Sequence, residues 1–132
     1  MKICFIYSGL SRTLIDSIKL LNNKLNNIEY DIYIHTEINE NDNNYLNKNF
    51  KIEQLYNLQN VKCVLIDSKP CIPNIFKTEK EINMYYQWFK IYRIFSIINE
   101  KDKYDYIIRI RSDFFILDDI QNIIINLKRC KS

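Results

Sequence analysis

Four short runs rich in β-branched and aromatic residues, separated by longer stretches with helical periodicity, constrain this chain most. They are KICFIY (2–7), YDIYIHT (30–36), VKCVLID (61–67) and YDYIIRIRSD (104–113). Each is nearly continuous in apolar character, as expected of a parallel strand buried on both faces. Strands alternating with helices predict an α/β fold, a three-layer sandwich around a mainly parallel, Rossmann-like sheet. Right-handed crossovers then place the first and fourth runs side by side at a switch point.

The connecting stretches have distinct characters. Leu14, Ile18, Leu21 and Leu25 fall on one face of a first helix. The Asn-rich EINENDNNYLNKNF (37–50) reads as a surface loop leading into a short helix near 51–59, and DSKPCIPN (67–74) as an irregular connection holding both prolines. The stretch from Thr78 to Lys101 predicts the longest helix, opened by a capping box of Thr78 and Glu81. It is apolar around most of its circumference, which predicts a helix wedged between layers. Its Tyr85, Tyr86, Trp88 and Phe89 then read as core rather than as a stacking platform, and Lys90 and Arg93 as a solvated face, with a reach into the crevice as the alternative. DDIQNIIINLKR (118–129) is a final helix, with acids at its start and bases at its end as the macrodipole prefers.

With 132 residues, 47% hydrophobic and 27% charged, the chain is expected to form a single domain over 1–132 with a real core. Asn and Ile fill about a third of it, a coding bias without functional content. A net charge of +3 is too small and too evenly spread to indicate nucleic acid. No apolar run reaches membrane-spanning length and the N-terminus has a strand pattern, so the expected location is cytoplasmic. Cys4, Cys63, Cys71 and Cys130 show no C-x-x-C spacing. With a single histidine they argue against structural zinc, and Cys4 and Cys63 read as buried thiols of a reducing compartment.

Ligands of open parallel sheets bind beyond the carboxyl ends of the strands. Those ends are polar at all four exits: Ser8 to Thr13, His35-Thr36-Glu37, Asp67-Ser68 and Arg111-Ser112-Asp113. In IYSGLSRT (6–13), strand, small polar turn and helix start make a common anion-binding arrangement. Arg109, Arg111 and Asp113 recur at every second position, hence on one face of a strand. Two guanidinium groups and a carboxylate suit a phosphate ester and a divalent cation. Arg109 lies deeper in its run, and an internal ion pair with Asp31 or Asp105 is the alternative there. On that ground Arg109 is expected to serve the fold, while Arg12 and Arg111 serve the ligand.

Three of these stretches together resemble a family. DYIIRIRSDFFI is similar to the variant DxD segment of GT-A-type glycosyltransferases, in particular relatives of the bacterial and viral polysaccharide-synthesis kind with an R-x-R-x-D pattern. CFIYSGLSRT resembles their opening strand and Gly-x-x-Arg turn, and YDIYIHTE their second strand. The resemblance implies the nucleotide-binding half of a GT-A fold, binding a nucleotide-diphosphate sugar for transfer to an acceptor it does not identify. It implies Asp113 as the ligand of a divalent cation (Mn²⁺ or Mg²⁺). Ser8, Gly9 and Arg12 would border the nucleotide and its diphosphate, and His35 and Thr36 would lie near the base or ribose. Arg111 stands where a common DxD has its first acid, so an arginine is placed to neutralise the diphosphate. No catalytic base is identified, since the acceptor-binding half in which the family carries one is expected to be missing. A catalytically inactive nucleotide-sugar-binding or assembly subunit is the alternative. Flavodoxins have a similar phosphate loop, but one with more Thr and Gly than a chain with a single glycine supplies.

Overall fold

A computed structural model describes residues 2–9, 14–38, 52–68, 71–98, 103–111 and 120–131. The four runs are strands: β1 (Lys2–Gly9), β2 (Glu29–Ile38), β3 (Val61–Ser68) and β4 (Tyr106–Arg111). They form one parallel sheet in the order β3-β2-β1-β4. β1 pairs with both β2 and β4, which makes the first and fourth strands neighbours as expected. Among the described residues four helices accompany the sheet: α1 (Leu14–Lys24), α2 (Ile52–Tyr56), α3 (Glu79–Ile97) and α4 (Ile120–Lys131).

Side-chain alternation along the strands sorts the core into two clusters, one on each face of the sheet. Ile3, Phe5 and Tyr7 of β1 join Tyr30, Ile32 and Ile34 of β2, and α1 and α4 close over them with Leu14, Ile18, Leu21, Ile120 and Ile124. Leu25, one residue beyond α1, completes the four-residue apolar face expected from the sequence. The other face carries Cys4, Ile6 and Tyr33, covered by Ile94 and Ile98 at the end of α3 and by Tyr104. Cys4 lies fully buried there, and burial pushes its thiol up to about 12. Cys63 is only partly buried and Cys71 is exposed. With one glycine in the chain, two left-handed turn positions fall to asparagine, Asn27 (φ 58°) and Asn60 (φ 68°), just ahead of β2 and β3. Asparagine tolerates that region because its short amide can bond locally.

The Thr78 cap is present: its hydroxyl accepts from the Glu81 amide at 3.2 Å. The Glu81 carboxylate reaches back to the Lys77 amide at 3.0 Å, one residue earlier than a standard capping box. The helix behind it departs from expectation. α3 is not wedged between layers: Ile94 is its one buried side chain, and Met84, Trp88, Tyr92 and Phe95 are exposed. Its C-terminal end covers Cys4 and Ile6, so it runs antiparallel to the strands. Arg93 already meets Asp67 at the end of β3. The first turns of α3, none of whose side chains is buried, therefore project past the strand exits. Apolar residues around a helix signal burial only where the sheet is long enough to receive them. Tyr85 does pack against Phe76 and Phe89, but this is a local cluster on the projecting part and not the core.

Candidate functional site

The face that α3 half covers is polar at the carboxyl ends of the strands. Ser8 of β1 stands in register with His35 of β2 and with Arg111 of β4. In-register partners share a face, so these three side chains lie on the face of Cys4 and Ile6. Arg109, in register with Ile6, and Asp67, two residues past Leu65 in β3, lie on it too. Every strand thus contributes to one row.

Contacts tie the row together from both ends. Asp67 accepts from His35 Nε2 at 3.0 Å and from Arg93 Nε and Nη2 at 2.9 and 3.3 Å. The Arg93 guanidinium, and after it His35, holds the Asp67 carboxyl below its ordinary value. The same carboxylate raises Arg93. His35 is fully buried, and its Nδ1 finds no partner among the described residues. Ser8 is buried as well, and its hydroxyl accepts from Arg109 Nε at 3.2 Å.

Arg109 corrects the sequence reading. It is exposed rather than internal, because β4 is an edge of the described sheet and α3 does not reach over it. Neither proposed acid meets it. Asp31 accepts from the Tyr104 hydroxyl at 2.5 Å and lies near Lys2 and Lys62, at the opposite end of the strands. Asp105 accepts from the Lys2 backbone amide at 2.8 Å. Partial burial, and then the like charge of Arg111, push the Arg109 guanidinium below its ordinary value.

Ser8, His35 and Arg111 are therefore brought together, and Gly9 ends β1 beside them. Thr36 is not part of this group. It follows His35 by one residue and faces the α1 side, where its hydroxyl is buried without a partner among the described residues. Arg12 and Asp113 lie outside the described residues. For Arg93 the structure favours the crevice over the solvated face, through its contact with Asp67. The signal was its spacing four residues before Ile97, which packs on the sheet.

Among the described residues no group of three or more acids, histidines or cysteines could hold a metal ion. The one carboxylate in the row, Asp67, is already committed to Arg93 and His35. The described residues thus do not fit a divalent cation. A groove of about 450 Å³ lies on α3, lined by Glu79, Lys80, Asn83, Met84 and Gln87, away from the row. Among the described residues no helix is long and apolar enough to cross a membrane. No family model matches the chain, and neither a curated protein nor a solved structure does.

Proposed function

We propose that this chain is the donor-binding unit of a GT-A-type glycosyltransferase, holding a nucleotide-diphosphate sugar across the carboxyl ends of its strands in a three-layer, Rossmann-like domain. The observation that carries the reading is the row on one face, to which all four parallel strands contribute and which ends in two arginines on β4. Strand exits of a parallel sheet are where such folds bind ligands, and guanidinium groups match phosphate oxygens. The order of the three motifs in the sequence supports the same ligand. The donor's diphosphate lies toward Arg109 and Arg111, with Asp113 as the cation ligand of this reading.

Calorimetric titration against a panel of sugar nucleotides, with and without Mn²⁺, tests the reading. Binding of at least one member is expected, with Asp113→Ala losing more affinity when Mn²⁺ is present than when it is absent. A panel in which no sugar nucleotide binds under either condition rejects it.

One observation favours the assembly-subunit alternative: Met84, Trp88, Tyr92 and Phe95 are exposed large apolar side chains on α3. A subunit of that kind binds the donor without releasing nucleoside diphosphate in the presence of cell-extract acceptors, whereas an enzyme releases it.

A further inference from the structure

Two arginines on this face are treated differently by the protein. Arg93 is matched by Asp67, with both nitrogens of its fork engaged on the carboxylate. Arg109 gives its Nε to a neutral hydroxyl, Ser8 Oγ, and meets no carboxylate among the described residues. Its neighbour two positions on, Arg111, projects from the same face, with stems about 7 Å apart at ordinary strand rise. Ser8 sits between them, in register with Arg111 and bonded to Arg109. Having accepted from Arg109, that buried hydroxyl has one proton left to donate.

We infer that Arg109, Ser8 and Arg111 form an anion cradle that holds two linked phosphoryl groups by arginine charge and hydrogen bonding, with no divalent cation required. The inference rests on the sugar-nucleotide reading for the identity of the natural ligand, and it adds to that reading how the diphosphate is neutralised. Arg109 donates through its remaining guanidinium N–H groups and Ser8 through its proton, while Arg111 closes the cradle from the end of β4. Crowding of the two guanidinium groups favours the same occupant, since an anion between them counters the desolvation and repulsion that now oppose the Arg109 charge.

Titration with sodium pyrophosphate in EDTA tests this. Wild type is expected to bind, Arg109→Gln to bind at least about tenfold more weakly with an unchanged melting temperature, and Ser8→Ala about threefold more weakly. Arg109→Lys keeps the charge without the fork and is expected to lie between Arg109→Gln and wild type. It also serves as the readout if Arg109→Gln melts early. Wild type that ignores pyrophosphate without metal overturns the cradle, and so does Arg109→Gln or Arg109→Lys binding as wild type does. The two proposals fail separately. Pyrophosphate binding that depends on Arg109, with no sugar nucleotide bound, sinks the donor reading and keeps the cradle. A sugar nucleotide bound equally by wild type and Arg109→Gln does the reverse.

Discussion

The two faces of the sheet are built from the same four strands and solve different problems. On one, α1 and α4 close over an apolar cluster that runs the length of the strands, from Ile3 and Tyr30 to Tyr7 and Ile34. On the other, α3 is anchored only by its last turns, and its apolar contact stops at Cys4, Ile6 and Tyr33. Beyond that point the residues are Ser8, His35, Asp67 and Arg111, with Arg109 level with Ile6 on the edge strand. The difference shows how a small domain holds itself together while keeping one end of one face for polar chemistry. It does so by shortening the helix contact on that side, leaving the sheet itself intact.

The sharpest way to break this comparison is a deletion on the closed face. Phe5 is fully buried and meets Tyr30 edge-on, with ring centroids 5.6 Å apart. Phe5→Ala should cost about 3–5 kcal/mol, a large share of a small domain's stability, read from urea melts. A loss below about 1 kcal/mol would mean that the face is far less tightly packed than its burial implies.

A smaller effect is expected where the open face turns polar. Asp67→Asn removes the charge that engages Arg93 and the partner of the buried His35 Nε2, with an expected cost of about 1–3 kcal/mol. The sign of its pH dependence follows from the lowered Asp67 value. A carboxylate that ionises more readily in the folded state contributes fully above its unfolded value of about 4. The contribution is lost as pH falls through the folded value. The gap between wild type and Asp67→Asn should therefore be constant near neutrality and narrow below about pH 4. A gap that persists at lower pH would assign the effect to shape instead of charge.

The smallest effect belongs to the projecting part of α3. Trp88→Ser should change stability by no more than about 0.5 kcal/mol, despite removing the largest side chain in the molecule. A loss comparable to that of Phe5→Ala would place Trp88 in a core and abolish the difference between the closed face and the projecting helix.

How much of this could be read from the sequence follows the same division. The strands were legible because each is a nearly continuous apolar run, and the adjacency of β1 and β4 followed from crossover handedness. The buried face of α1 was legible because Leu14, Ile18 and Leu21 repeat at helical spacing on a helix that has a sheet beneath all of it. α3 has the same kind of composition, but where the sheet ends is a tertiary fact that no local pattern encodes. Arg109 failed for a related reason. Alternation fixes which face a strand residue occupies, not whether a helix covers that face at an edge. Arg93 and Asp67 are 26 positions apart, and only the antiparallel course of α3 along the sheet brings them together.

Trp88 is the chain's sole tryptophan, and nearly two thirds of it is exposed on the projecting turns of α3. The intrinsic fluorescence of this protein therefore reports from outside its core. Its emission should lie close to that of hydrated indole in the native state and shift little as the core melts, so unfolding followed by this signal alone would look shallow. Tyrosine absorbance or circular dichroism would follow the core instead, through the buried Tyr7, Tyr30 and Tyr33. The same indole becomes a sensitive optical probe of anything that settles on the bare side of that helix. A blue shift on adding a partner, with no change in the tyrosine signal, would locate the event there and not at the strand exits.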